Sequence, residues 1–125
     1  PIGAEELART PLLLREHGSG TREVLDEALA EAGLAPTVSM ELGSTTAIKS
    51  AVASGAAPSV LSALAVAAEV RSGQLAVVAS RGIRLQRTIR AVWPSGHDLS
   101  LPASRLVVLA SSPPDRAERS AGGEP

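Results

Sequence analysis

A cation, two glycines and two hydroxyl groups fall together in residues 15–22, whose sequence is Arg-Glu-His-Gly-Ser-Gly-Thr-Arg. Glycines let a backbone bend sharply and approach a ligand closely, and Ser19 and Thr21 place hydroxyls at the same bend. A helix that starts here adds free N–H groups and the positive end of its dipole. Such a turn suits a carboxylate, sulfate or phosphate. The alternative is a plain loop, which is what most Gly/Ser clusters form.

Arginines supply further candidates for binding an anion. Arg15 ends an apolar run beside the glycine turn, where a guanidinium can bind a carboxylate through two parallel hydrogen bonds. A structural salt bridge to a nearby Glu is the alternative. Four later arginines are more typical of surface charges than of a nucleic-acid patch, although one of them could close over an anion: Arg81, Arg84, Arg87 and Arg90.

Two later segments repeat the combination of a bend with hydroxyl groups. Gly43, Ser44 and Thr45 form a second glycine-containing turn, and Ser62 precedes another helical pattern. Ser and Thr are also favoured as helix N-caps, so all three turns could be ordinary caps. The functional and the capping interpretations predict different partners for these hydroxyls.

The segments around these turns alternate between strand and helix patterns. Strands are predicted over 12–15, 37–42, 59–61 and 75–79, with Val38, Met40 and Leu42 on one side of the second. Helices are predicted over 22–32, 47–54 and 64–72, each followed directly by a glycine. A further strand over 88–93 and a helix over 101–110 follow a charged, amphipathic stretch.

This alternation indicates an α/β fold, with a mostly parallel sheet flanked by helices. In such sheets, ligands bind beyond the carboxyl ends of the strands. All three polar turns follow predicted strands, so they are expected to meet at one crevice. That convergence supports a site more strongly than any single turn does.

Composition excludes several classes of function. The net charge is −1 and Trp93 is the lone aromatic residue, so neither a phosphate-gripping basic surface nor base stacking is expected. The chain has no cysteine, and no apolar run is long enough to cross a membrane. The start lacks an initiator Met and a signal-peptide pattern. We therefore expect a cytoplasmic piece of a longer protein, in which residues 111–125 form a disordered, Pro/Gly-rich tail.

Catalysis and metal binding have little support in the sequence. His17 and His97 are the only histidines and lie far apart. Neither shows a metal-ligand spacing, and nothing orders a nucleophile and a base as a triad requires. We predict no catalytic residue, no metal site and no cofactor.

Four blocks, in this order, resemble the effector-binding domain of LysR-type transcriptional regulators: 11–22, 41–49, 51–55 followed by 60–62, and 69–75. The resemblance implies the fold of type 2 periplasmic binding proteins, whose two α/β lobes close on a small molecule. The chain is similar to the second lobe with a returning strand and C-terminal helix, over 1–110. By this resemblance the effector contacts are Ser19, Gly20, Thr21, Gly43, Ser44, Thr45 and Ser62. Arg15 joins these candidates because of its position beside the glycine turn.

The resemblance also implies partners. The expected function is sensing of a small anionic effector within a homodimer or higher oligomer. DNA would be bound only through an N-terminal winged helix-turn-helix that this sequence lacks. The alternatives are a solute-binding module for phosphate or another small anion, and an enzyme of aromatic amino-acid metabolism on the same bilobal fold, such as a dehydratase.

One departure from the family pattern concerns the third strand. The family often has Gly-x-Gly-Ile/Val after the second helix, whereas this chain has Gly55-Ala56-Ala57-Pro58. Because proline has no N–H group, it cannot donate a hydrogen bond to a neighbouring strand. The pairing at the start of the strand over 59–61 is therefore expected to be weakened.

Overall fold

The structure is a computed structural model that describes residues 1–111, and the chain divides into a unit Pro1–Arg87 and a second unit that begins at Thr88. The elements of the first unit are α1 (Ala4–Arg9), β1 (Leu12–Arg15), α2 (Gly20–Ala30), β2 (Val38–Leu42), α3 (Thr45–Ala53) and α4 (Ala63–Arg71). The second unit contains α5 (Leu101–Ser111). None of the described helices is long and apolar enough to span a bilayer.

Strand β1 is the centre of the first unit. Its three leucines, Leu12, Leu13 and Leu14, are each only 1% exposed, as expected for a parallel strand that is covered on both faces. The main core cluster consists of side chains from α1, β1 and α2: Leu7, Ala8, Leu12, Leu14, Leu25 and Leu29. Ile48 of α3 is fully buried as well. The aliphatic core predicted from the composition is therefore built around one strand.

The sheet is parallel, as predicted, but smaller than predicted. β1 pairs with β2 in a register that runs from Leu12↔Val38 to Arg15↔Leu42, with an irregularity after Leu12. On the other side of β1, a single parallel bridge joins Leu13 to Ser59. A further parallel bridge joins Ile2 to Ser80. These bridges stand where longer strands were expected.

Proline explains part of this reduction. The amide of Leu13 donates to the carbonyl of Pro58 at 2.9 Å, but Pro58 cannot donate in return. The predicted strand over 59–61 is therefore wrong as an extended element, and pairing there is limited to the bridge at Ser59. The strand predicted over 75–79 is likewise absent from the described elements. Pairing is limited to its end and the residues just after it, where the amide of Ile2 donates to the carbonyl of Ala79 and the amide of Arg81 donates to the carbonyl of Ile2.

Two further strand predictions need correction. Val38 and Met40 are 43% and 52% exposed, so the apolar side of β2 is not buried as the alternation predicted. β2 is an edge strand with one neighbour. Alternation in the sequence predicts which side chains share a face of the strand, but it does not show whether another element packs on that face. Residues 88–93 are exposed and form no strand, because a strand persists only where a neighbour takes up its backbone groups.

The helix predictions are confirmed within about two residues at each end, the usual uncertainty of helix termini. α2 starts two residues earlier than predicted, at Gly20, which places the second glycine of the turn inside the helix. α5 extends the predicted helix over 101–110 by one residue, to Ser111. The remainder of the predicted tail, 112–125, lies outside the described residues.

An ion pair connects α3 to α4. The Lys49 ammonium donates to Glu69 Oε1 at 2.5 Å and to the carbonyl of Ala65 at 3.1 Å. Both charged side chains are mostly covered, at 21% and 23% exposure. The hydrogen bond from Lys49 lowers the pKa of Glu69 below its ordinary value. This pair fixes the start of α4, and with it Ser62, relative to α3.

Replacing Leu25 by alanine should destabilise the chain by about 2–5 kcal/mol, because it leaves a cavity beside β1. Leu64→Ala is the matched control, since Leu64 is 86% exposed and its truncation should change stability by less than about 0.5 kcal/mol. Urea unfolding followed by circular dichroism measures both. Equal losses in the two variants would contradict the assigned core.

The Lys49–Glu69 pair predicts a pH dependence of stability. Because the pKa of Glu69 is lowered in the folded state, its contribution is present above the ordinary value of 4.5 and is lost as the pH falls through the folded-state value. Lys49→Met should lower the melting temperature at neutral pH and reduce the further loss in acid. Arg9→Met is the control, because the Arg9–Glu5 pair is exposed and contributes little. Identical acid profiles of the wild type and Lys49→Met would contradict this prediction.

Candidate functional site

The turn between β1 and α2 is shaped by one glycine. Gly18 has a φ of 86°, a conformation that side chains with a Cβ rarely adopt. The amide of Ser19 then donates to the carbonyl of Glu16 at 3.1 Å, which closes the bend. Ser19 takes the N-cap position of α2 in extended conformation. The strand-to-helix turn predicted from residues 15–22 is therefore confirmed.

The first turn of α2 leaves backbone donors without helical partners. The first amide to bond within the helix is that of Glu23, which donates to Ser19 at 2.9 Å. The amides of Gly20, Thr21 and Arg22 precede it, and the Ser19 side chain makes no capping hydrogen bond. These groups are the donors that a helix N-terminus offers to an anion.

The buried side chain of Arg22 stabilises this turn from the interior of the unit. It is 6% exposed and is the only buried charged residue among residues 1–111. Its Nε donates to both carboxylate oxygens of Asp26 at 2.8 and 2.9 Å, and its Nη1 donates to the carbonyl of Arg15 at 3.3 Å. Nη1 also lies 3.6 Å from the carboxylate of Glu41 on β2. One guanidinium thus connects α2 to the ends of both strands.

Arg15 is held by two neighbours. Its Nε and Nη2 donate to the two oxygens of Glu16 at 2.7 and 2.8 Å, and its Nη1 donates to Thr45 Oγ1 at 2.8 Å. The hydrogen bond to Glu16 raises the pKa of Arg15, and the same bond lowers the pKa of Glu16. A guanidinium has five N–H groups, so two remain available. The salt-bridge interpretation of Arg15 is correct, and the side chain still faces the site.

These elements surround an open depression of about 610 Å³, which we call the turn pocket. Its volume is in the range of roughly 300–1,000 Å³ typical of small-molecule sites. Six of the predicted site residues line it together: Arg15, Ser19, Gly20, Thr21, Thr45 and Ser62. The expectation that the three strand-to-helix junctions meet at one crevice is therefore met by these six residues.

Gly43 and Ser44 do not line the turn pocket. Ser44 is the N-cap of α3, and its hydroxyl accepts a hydrogen bond from the Ala47 amide at 3.4 Å. Ser19 and Ser62 also occupy N-cap positions, yet their side chains make no capping bond. The capping interpretation therefore holds for Ser44, whereas the hydroxyls of Ser19 and Ser62 remain available at the pocket.

Five pocket residues were not predicted as site residues: Glu16, Gly18, Leu64, Ala65 and Arg87. Glu16 and Gly18 belong to the stretch that the sequence singles out, and Leu64 and Ala65 follow Ser62 into α4. Arg87 is one of the four arginines that are more typical of surface charges, although one of them could close over an anion. All four arginines lie in one stretch that interleaves them with apolar residues, so the sequence could not show which of them would line the pocket.

The described residues contain no cluster of His, Asp or Glu that could hold a metal ion. The polar groups of the turn pocket are amides, hydroxyls and guanidinium groups, with Glu16 the one carboxylate in its lining. Donors of this kind bind anions and polar small molecules, and they do not form a nucleophile-and-base pair.

The described part of the chain is thus a parallel α/β unit in which the N-termini of α2, α3 and α4 lie around one polar pocket. The family model described as the LysR substrate binding domain matches residues 1–111. The chain therefore belongs to the LysR substrate-binding-domain family, and the resemblance found in the sequence is confirmed.

Curated relatives agree with this assignment. The chain is 40% identical over 99 residues to a RuBisCO operon transcriptional regulator of Acidithiobacillus ferrooxidans, a match that covers 79% of the chain and 32% of the relative. It is 42% identical over 108 residues to the HTH-type transcriptional regulator CbbR of Xanthobacter flavus, covering 86% and 32%. The HTH-type transcriptional activator CmpR of a Synechocystis strain is 39% identical over 106 residues, covering 85% and 35%. The chain thus spans about a third of each relative.

Arg22→Met should disturb both stability and the turn. Removal of the guanidinium leaves the Arg15 carbonyl and the Asp26 carboxylate without their donor, at a cost of about 1–3 kcal/mol. Arg71→Met is the control, since Arg71 is exposed. Urea unfolding measures the loss, and NMR shifts of the Gly20 and Thr21 amides report on the turn. An Arg22→Met variant with wild-type stability and wild-type shifts would contradict the role given to this residue.

Proposed function

We propose that this chain is the effector-sensing part of a LysR-type transcriptional regulator and that it binds a small anionic molecule in the turn pocket. One observation carries the proposal: one depression is lined by Gly20 and Thr21, whose amides have no helical partner, and by Ser19 and Ser62, whose hydroxyls make no capping hydrogen bond. The family and the regulator relatives support the sensing role, and they favour a binding protein over an enzyme.

The chemistry of the pocket favours an oxyanion. Amides and hydroxyls donate to carboxylate or phosphate oxygens, and such charge-assisted hydrogen bonds are stronger than neutral ones. Arg15 can add its two remaining N–H groups while Thr45 and Glu16 hold it in place. Gly43 and Ser44 stay predicted contacts, because their turn follows β2 at the same edge of the sheet as the pocket.

In the whole regulator, we propose that the chain acts as the second lobe of the effector domain plus its returning segment. The first lobe would supply the other wall of the cleft, and a winged helix-turn-helix would bind DNA. Effector binding would favour the closed arrangement, and a homodimer or higher oligomer in the cytoplasm would pass this change to the DNA-binding domains. The solute-binding alternative uses the same pocket, so binding selectivity must separate the two.

Thr21→Val should weaken anion binding about tenfold, because it removes a hydroxyl donor to a charged oxygen and keeps the side-chain shape. Titration of the ¹⁵N-labelled chain with inorganic phosphate, and separately with acetate, follows the amides of Gly20 and Thr21. We expect weak, saturable binding of both anions, since one wall of the cleft is present.

Thr46→Val is the matched control, because Thr46 is exposed on the same turn as Thr45 and lies outside the turn pocket. An unchanged phosphate affinity in Thr21→Val would contradict the proposed site. Tight binding of phosphate with no response to acetate would instead favour the solute-binding module.

A further inference from the structure

Arg87 occupies an unusual position at the turn pocket. Its Nη1 lies 2.7 Å from the point where a Cβ on Gly20 would stand. It therefore sits directly against the first turn of α2. No hydrogen bond or ion pair joins Arg87 to any residue in 1–111. Its guanidinium lines the pocket with all its donors available.

The charges of the neighbouring arginines are balanced, whereas that of Arg87 is not. Arg15 is paired with Glu16, and Arg22 is paired with Asp26 and lies near Glu41. Arg87 faces the positive end of the α2 dipole, where a cation is unfavourable and an anion is favourable. A negatively charged group in the turn pocket, next to both Arg87 and the α2 amides, would offset this repulsion and accept hydrogen bonds from both.

The same close approach bears on the residue type at Gly20. Its backbone does not need a glycine, because its φ lies outside the positive range. A Cβ on Gly20 would stand 2.7 Å from Arg87 Nη1, so the guanidinium would have to shift to make room for it. Glycine at this position therefore allows the cation to lie close to the start of α2.

We propose that Arg87 is a specificity-determining effector contact. We further propose that Gly20, which has no Cβ, leaves the space that the Arg87 guanidinium occupies. Arg87 and the amides at the start of α2 lie side by side, and together they bind one oxyanion group of the effector, a carboxylate or a phosphate. The inference rests on the proposed function of the turn pocket and adds to it the residue that recognises charge.

Arg87→Gln should weaken binding of inorganic phosphate about tenfold or more, because one charge-assisted contact is lost. The phosphate affinity of Arg87→Lys should lie between those of the wild type and Arg87→Gln, since lysine keeps the charge but not the planar guanidinium. Arg84→Gln is the matched control: it removes the same charge from an exposed residue of the same loop, outside the turn pocket. Phosphate and acetate titrations by NMR at constant ionic strength measure all three variants and show which oxyanion Arg87 prefers.

Gly20→Ala tests the role of the close approach between Gly20 and Arg87 without removing any charge. The added Cβ should displace the Arg87 guanidinium and weaken phosphate binding, while thermal stability stays equal or rises because alanine favours the helix. Wild-type phosphate affinity in both Arg87→Gln and Gly20→Ala, with a loss in Thr21→Val, would overturn this inference and leave the proposed function standing. No saturable response of the wild-type chain to either anion would overturn both.

Discussion

The buried guanidinium of Arg22 is the interaction on which the site depends. It binds the last carbonyl of β1, the Asp26 carboxylate one turn along α2, and approaches Glu41 on the neighbouring strand. A charge that is 94% covered is tolerated only because several acceptors surround it. The same contacts fix the direction in which α2 leaves the sheet. Gly20 and Thr21 of its first turn line the turn pocket, while the Arg22 side chain is anchored in the interior.

The three leucines of β1 provide the rigid base for this arrangement. They are almost completely buried, so the end of β1 cannot move without opening the core. Arg15 extends from that end to Glu16 and Thr45, which links the first turn of the pocket to α3. Lys49 and Glu69 then link α3 to α4 and its N-terminal Ser62. A series of contacts therefore connects the buried strand β1 to the pocket, through Arg15 and α3 and then through α4 to Ser62.

Local patterns predicted what depends on local physics. β1 and the helices follow from an apolar run and from 3.6-residue periodicity, and the turn at Gly18 follows from the glycine that its positive φ requires. Strands 59–61 and 75–79 were overestimated because pairing depends on distant partners and because Pro58 lacks a donor. The alternation of Val38 and Met40 correctly predicted a strand, but both side chains are exposed because β2 is an edge strand. Arg87 could not be chosen from its neighbours, since its approach to Gly20 joins residues that are far apart in the sequence.

A sensor needs contacts that differ between its states, because a ligand that binds two states equally shifts neither. Under the proposed function, the α2 amides are a fixed part of the pocket: Arg22 and the core hold them in one position whether or not an effector is present. Such contacts contribute affinity, but they cannot by themselves select a state. Selection must come from groups whose position can change. Arg87 is such a group, because its side chain is long, exposed and unpaired among the described residues. Under the proposed function, a helix start held by buried contacts would contribute affinity, and the unpaired cation beside it would contribute the contact that differs between states.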